Sequence, residues 1–406
     1  MAPQIKKLWR RLSLISTSAG YNLSSTFFNL GVSILVIRLV NAALWGDLVQ
    51  ILLWTSIAMN VIAWGNKDFL IRQFSLSPAS LRQEWQRSFG SRSLLFLLAL
   101  CLLIFFPLNP SLKWWIAVYL SARFIYLSYD SLIIFRRAFF VTIILESAGF
   151  ILTGTSIIIF HPGETTVLFS FFALAELVKA ISVIIYFKAK WLPVFFKNFD
   201  WNYFGIAFSF FILYFSGMLS SKIDLVFVTH FFSKEGIARY QVLINFLLLL
   251  QALPAMILLP FLKNIYRVKA DVVKKIALRL FVSGIFISCA AVLFIKEIVQ
   301  FLYGFNYDVQ VFFFAWLLVL PGFYFSPVIY RLFKQKQQQV VIISVAFILC
   351  AAAFIFIFLK LFPDKIAGVL AAMATAHWIK GAIYYFVWNE NKLMGKRGEK
   401  ARITTR

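Results

Sequence analysis

About twelve apolar runs fill this chain, each near the roughly 20 residues that a helix needs to cross a bilayer core. They fall at about 17–40, 46–66, 93–111, 114–135, 139–160, 165–187, 204–231, 237–262, 277–295, 309–330, 340–361 and 366–388. Runs of this length and apolarity predict membrane-spanning helices. Turn residues separate several of them: Pro107 to Pro110, His161-Pro162-Gly163 and Pro363-Asp364. No connection is long enough to form a domain. The longest, about 67–92, and the tail after about 389 are expected to be short basic segments outside the membrane.

Composition agrees. Charged residues make up 14% of the chain, against about 25% in a soluble domain. That is too few to coat a water-facing surface. In a soluble protein a net charge of +24 would suggest nucleic acid. Here the charge lies between apolar runs, so no nucleic-acid partner is expected. Cys101, Cys289 and Cys350 each sit inside an apolar run, which predicts neither a disulfide framework nor a metal site. Lys6, Lys7, Arg10 and Arg11 precede the first run as in a signal peptide. Its length and the lack of a small-x-small cleavage site predict an uncleaved first helix instead.

Lys and Arg set the orientation. With the N-terminus inside, most of the 40 basic residues fall in cytoplasmic segments, and each such segment holds at least two. The pattern predicts a multi-pass protein of the cytoplasmic membrane, with membrane lipids around it and both termini cytoplasmic.

The first and last six helices start on the same side, so two parallel halves are expected, 1–198 and 199–406. A short echo joins them: Leu35-Val36 then Gly46 in one, Leu225-Val226 then Gly236 in the other. Two parallel six-helix halves are a standard transporter plan, with the substrate between them. In the first helix Ser18, Asn22, Ser25, Asn29 and Ser33 recur every three or four residues, forming one stripe. Ser209, Ser216, Ser220 and Asp224 make a similar one in the seventh. Such stripes face protein or water. Close packing of small polar residues and a hydrated cavity both fit, and the two asparagines and the aspartate favour the cavity.

Ionisable residues inside membrane helices are functional candidates by default. Arg123 is mid-helix, with Tyr119 and Asp130 on its face, and Glu146 at a similar depth, Asp130 or a ligand phosphate could neutralise it. Glu176 and Lys179, three residues apart, can pair. Structural ion pairs and ligand contacts fit both sets equally. Arg38 and His230 lie near helix ends and are expected to snorkel. His377 and Lys380 are one turn apart, and a packing role is favoured there. Lys222 and Asp224, two residues apart on the seventh helix, point in nearly opposite directions and cannot pair with each other, with Asp224 on the polar stripe and Lys222 off it. Pro254, Pro260, Pro321 and Pro327 predict kinks in the eighth and tenth helices.

Several short patterns, in order, resemble the polysaccharide (O-antigen-type) flippases of the superfamily that also holds MATE exporters and the lipid II flippase. They are a basic start, a Ser/Asn-rich first helix, then Arg38-Leu39 and Gly46. Next come Gly65 through Ile71-Arg72. At the junction of helices 7 and 8 stand Ile223-Asp224, an apolar run, Phe231-Phe232-Ser233, Gly236 and Tyr240. Leu302-Tyr303-Gly304 and Tyr307 follow. Val226 departs from the family, where many members carry a basic or polar residue soon after the Asp. The resemblance covers the whole chain at the level of layout.

It implies a MATE-like all-α membrane fold that flips an undecaprenyl-diphosphate-linked oligosaccharide across the bacterial inner membrane by alternating access. Other polysaccharide-assembly proteins are further implied partners. Substrate- or ion-binding candidates are Asp224, Arg123, Lys222, Asn22, Asn29 and Lys179. Arg123 and Lys222 suit a diphosphate, and Asp224 suits a coupling proton or Na⁺. Trp54, Trp64 and Tyr214 could stack on sugars, though packing is the commoner role. No nucleotide motif occurs, so no cofactor is expected. A MATE-type cation-coupled antiporter shares this fold but wants an acidic cavity, whereas several in-helix charges here are cationic. A membrane enzyme is disfavoured. No His has an Asp five residues on, and no Asp-x-Asp occurs.

Overall fold

The computed structural model describes the backbone of residues 2–187, 191–258, 270–335 and 337–404. It describes the side chains of 23–187, 191–254, 271–329 and 338–387, together with Ser16, Gly20 and Leu258. Among the described residues every regular element is helical. In order they are α1 (Ala2–Leu39), α2 (Ala42–Ala63), α3 (Asn66–Leu76), a 3₁₀ turn (Pro78–Ser80), α4 (Leu81–Phe105), α5 (Pro110–Ser128), α6 (Asp130–Arg136), α7 (Phe139–Phe160) and α8 (Thr165–Phe187). Then come α9 (Asn202–Ser220), α10 (Ile223–Phe231), α11 (Lys234–Leu258), α12 (Ala270–Tyr303), α13 (Val309–Gln335), α14 (Gln337–Leu361) and α15 (Lys365–Thr404). Among the described residues eleven helical stretches are long and apolar enough to span a membrane, and Leu23–Leu39 is a shorter apolar one. The fold is all-α and of membrane type, with about twelve spans as the apolar runs predict.

The ends of these helices carry their own stops, as a lipid environment demands. Asn41 caps α2, its Oδ1 accepting from the Leu44 amide at 2.6 Å. Asn109 caps α5 ahead of Pro110, where a missing N–H costs nothing. Asp364 accepts from the Ile366 amide at 2.8 Å to start α15. Trp64 and Gly65 both have left-handed φ, 46° and 66°, and turn the chain from α2 into α3. A Cβ at Gly65 would stand 2.5 Å from the Phe210 carbonyl carbon.

Two expectations are corrected here. The segment 67–92 is not an external loop: α3 and the first half of α4 occupy it. Its charges hide it from an apolar window, yet it buries Phe69, Leu70, Phe74, Trp85 and Phe89. Arg92, counted among external charges, is 1% exposed. Its Nη2 donates to Ser128 Oγ at 3.0 Å and its Nε to the Ser88 carbonyl at 3.2 Å. The Phe124 ring lies 5.4 Å from its Cζ. The second correction is the seventh run, which is two helices, α9 and α10, joined by a turn at Ser221-Lys222. Serine hydroxyls compete for helix carbonyls, and Ser216, Ser220 and Ser221 cluster at this break. Ser216 Oγ donates to Leu213 O at 3.1 Å.

The chain forms two compact units. One holds residues 1–219 and 232–239, the other 220–231 and 240–406. In the first, α1 packs on α7 and α2, α5 on α8, and α2 on α4. An aromatic core of Phe74, Trp85, Tyr126, Tyr129, Trp191 and Tyr203 ties α3 to α8. Gly46 lets the Lys234 carbonyl approach α2, where a Cβ would lie 1.9 Å from that oxygen. Its sequence counterpart Gly236 instead donates its amide to Ser233 Oγ, which caps α11. In the second unit α13 packs on α15 and α12, and α14 on α15 and α10. Pro254, Pro321 and Pro327 lie inside α11 and α13. Pro260 lies outside the described residues, as do the side chains of Asn22 and of the basic residues in both termini.

Candidate functional site

Four membrane-embedded charges of the first unit form one chain of contacts. Arg123 lies midway along the Pro110–Arg136 span, and Glu176 midway along Thr165–Phe187. Arg123 Nη1 donates to both oxygens of Glu176, each at 3.1 Å. Lys179 reaches Glu176 Oε1 at 2.5 Å and Glu146 Oε2 at 3.1 Å. The Tyr126 hydroxyl donates to Glu146 Oε1 at 3.2 Å. Its ring lies 5.7 Å from the Arg123 Cζ and 5.4 Å from the Lys179 Nζ. Gly149 makes room for the lysine stem, which comes within 3.4 Å of where its Cβ would be.

The partner expected for Arg123 is thereby corrected. Glu146 does not neutralise it; Glu176 does, and Lys179 links the two carboxylates. Depth alone cannot distinguish two carboxylates at one level. The helix neighbour decides, and α5 packs along α8. Asp130 is also removed from this set, because it pairs with Lys67 at 3.7 Å. Two cations and two anions leave no net charge. The inner pair is dry, with Glu176 and Lys179 at 7% and 5% exposure. Arg123 is different: its side chain is 28% exposed. Among the described residues Nη1 makes both of its hydrogen bonds, leaving Nε and Nη2 as donors.

A second polar knot lies near the start of α4 and α9. Arg87 pairs with Asp200 and, at 3.9 Å, with Glu84. The Asn202 amide donates to Asp200 Oδ1 at 2.8 Å. That bond first, and Arg87 next, hold the Asp200 carboxyl below the usual aspartate range. Ser88 joins Asn66 at 2.5 Å and Tyr203 at 3.0 Å. This knot joins buried helix ends and reads as structural.

In the second unit Asp224 sits in the first turn of α10 and is 2% exposed. The Tyr240 hydroxyl donates to its Oδ2 at 2.5 Å. Its Oδ1 is buried and makes no hydrogen bond of normal geometry, its polar neighbours being the Asp224 and Leu225 amides at the start of α10 and the Lys222 ammonium. Sequence reasoning placed Tyr240 in a pattern but not in this contact. The rotation of Lys222 away from Asp224 assumed a continuous helix, and that argument fails because Lys222 lies in the turn. Its half-buried side chain has no ion pair or hydrogen bond among the described residues. The turn cuts only Asp224 off from the stripe; Ser209, Ser216 and Ser220 stay on one face of α9. Ser209 is exposed, while Ser216 and Ser220 are buried at 4% and 8%. In α1, Asn29 and Ser25 are exposed and Ser33 is buried.

The aromatic candidates divide. Trp64 stacks on Phe211 at 4.1 Å and donates to the Phe204 carbonyl at 3.1 Å, which makes it a packing residue. Trp54 and Tyr214 are 54% and 40% exposed. No group of three metal-binding side chains occurs among the described residues.

No family model matches this chain, and no curated protein does. The resemblance that exists is one of fold. The helical arrangement is similar to that of solved transporters of the MOP superfamily. An inward-facing multidrug resistance MATE family transporter superposes with a TM-score of 0.66 at 13% identity, over 92% of this chain and 96% of that one. The lipid II flippase MurJ, in an inward closed conformation, gives 0.68 at 15%, over 92% and 87%. A mutant of the Vibrio cholerae MATE transporter VcmN gives 0.58 at 12%, over 94% and 95%.

Proposed function

We propose that this protein carries an undecaprenyl-diphosphate-linked oligosaccharide from the inner to the outer leaflet of the bacterial cytoplasmic membrane, for surface polysaccharide biosynthesis. Movement is by alternating access of two six-helix halves, with both termini in the cytoplasm. The observation that carries this reading is the open edge of Arg123. A guanidinium at mid-membrane, 28% exposed, offers free donors in the fork geometry that phosphate oxygens fit. Lys222, with no ion pair within 4 Å among the described residues and Asp224 as its charged neighbour, adds a second cation for the diphosphate. Asp224, whose Oδ1 makes no hydrogen bond of normal geometry, is the site for a coupling proton or Na⁺. The likeness to a lipid II flippase supports a lipid-linked cargo, and the polyprenyl tail can stay in lipid throughout.

The test is complementation. A strain lacking its own flippase should regain surface glycan with this chain and lose most of it again with Arg123→Lys, which keeps a charge opposite Glu176 but not the guanidinium fork, at unchanged protein level in the membrane. The MATE likeness makes a cation-coupled antiporter the competing reading. Drug resistance without glycan export would establish it instead. Single cysteines at Ser80 or Lys400 should be shielded from an impermeant thiol reagent in intact cells, and ones at Glu164 or Lys234 should react; the reverse pattern would invert the topology.

A further inference from the structure

Charge inside the second unit is not balanced in the way it is in the first. Between Gly236 and Val387 the carboxylates are Asp271, Glu297, Asp308 and Asp364, all at or near helix ends. Lys380 lies within the Lys365–Val387 span. Among the described residues it makes no ion pair and no hydrogen bond. Its Nζ rests 4.4 Å from the centroid of the Phe347 ring. Phe347 is 3% exposed and nine residues inside Gln338, the start of its span. That is about 13 Å along the helix axis. The ammonium has therefore not climbed to an interface, as a snorkelling lysine would.

Its neighbours add one spare donor and no ion-pair partner among the described residues. His377, one turn away, meets the same ring edge-on at 4.8 Å. Its Nδ1 lies 2.9 Å from the Met373 carbonyl, which assigns the proton to Nδ1. One turn in the other direction, the Tyr384 hydroxyl lies 3.3 Å from Ser344 Oγ. Two hydroxyls in one hydrogen bond leave one hydrogen over. A lysine with three unused N–H groups and a spare hydroxyl hydrogen together give a surplus of donors. A phosphoryl group, acceptor-only and anionic, complements that set.

We propose that Lys380, seated on Phe347 beside His377 and the Tyr384–Ser344 pair, is an oxyanion-binding site of the second unit that takes phosphoryl groups. It deepens the transport reading above by giving the diphosphate a contact apart from Arg123. The packing role expected for His377 and Lys380 is thus joined by a chemical one.

The test uses the full chain in neutral-lipid nanodiscs, with inorganic diphosphate in the buffer or undecaprenyl diphosphate in the disc. Wild type should bind, and Lys380→Gln should weaken binding by about tenfold or more, the scale of one charge-assisted hydrogen bond. Lys380→Arg should keep most of the affinity. Binding of the lipid alone would identify a headgroup site, whereas binding of the free anion as well would identify a general phosphoryl site; either supports the proposal. Equal affinity in wild type and Lys380→Gln, or no binding by wild type, overturns it. Amine labelling of wild type, read by mass spectrometry, needs no variant. Diphosphate should protect Lys380, and unchanged labelling overturns the proposal even if the glutamine variant misfolds. Export is not part of either measurement, so a failure of the glycan-transport reading stays distinguishable.

Discussion

The two units handle charge in the membrane in opposite ways. In the first, Arg123, Glu176, Lys179 and Glu146 satisfy one another through contacts of 2.5–3.1 Å. In the second, Asp224 accepts from a tyrosine hydroxyl while its Oδ1 makes no hydrogen bond of normal geometry, and Lys222 and Lys380 make no ion pair among the described residues. A closed network is chiefly a matter of integrity, because removing one member strands the others. An open set of charges is available to ligands. The comparison therefore separates residues whose loss should be felt as missing protein from those whose loss should be felt as missing transport.

Lys179→Met should give the largest effect. It strands two carboxylates, a loss of about 3–5 kcal/mol for a broken buried pair. Membrane protein level should collapse, and adding Glu146→Gln should restore part of it by leaving the Arg123–Glu176 pair balanced. A normal level in the single variant would break the comparison. Asp224→Asn should leave protein level unchanged and cut export within the roughly 5–150-fold range of a lost coupling free energy, measured as surface glycan in a flippase-null strain. Lys222→Gln should be milder, a few-fold by the same assay. If Lys222→Gln is inactive while Asp224→Asn exports normally, the lysine is the group that meets the diphosphate.

Surface pairs should matter least. The Lys234 side chain is 61% exposed in its 2.8 Å contact with Asp47, so solvent screening limits Lys234→Ala to about 0–1 kcal/mol, seen as a small shift in thermal melting. The Asp200 carboxyl is held below its usual range. It contributes stability at neutral pH that is lost as pH falls through its folded value. The melting difference between wild type and Asp200→Asn should shrink from pH 7 to about pH 3; a difference that grows on acidification would reverse the sign.

Much of the fold could be read from the sequence, because span length and hydrophobicity are local properties. The starts at Phe139, Thr165 and Val309 match the apolar runs to the residue. What could not be read depended on neighbours. The break between α9 and α10 lies inside an unbroken apolar run, where only a cluster of serines hints at it. Helices α3 and α4 carry enough charge to look external, although Arg92 and Trp85 are among the most buried large side chains. Of the candidate residues, Arg123, Lys179, Glu146 and Glu176 were all visible as membrane charges. Their pairing was not, since it follows from which helices adjoin. Lys380 was visible too, but its lack of a carboxylate needs the contacts of α14 and α15.

The closed network also has a history during synthesis. Arg123 and its partner Glu176 are 53 residues apart, and Glu146 and Lys179 are 33 apart. A ribosome adds about 5–20 residues per second, so Arg123 emerges roughly 3–10 s before the carboxylate that neutralises it. For that interval the helix bearing it must lodge in the insertion machinery, or beside it, with an unpaired guanidinium. The three helices α5, α7 and α8 should therefore leave the translocon as a group, and a chain truncated just before α8 should be a substrate for membrane proteases.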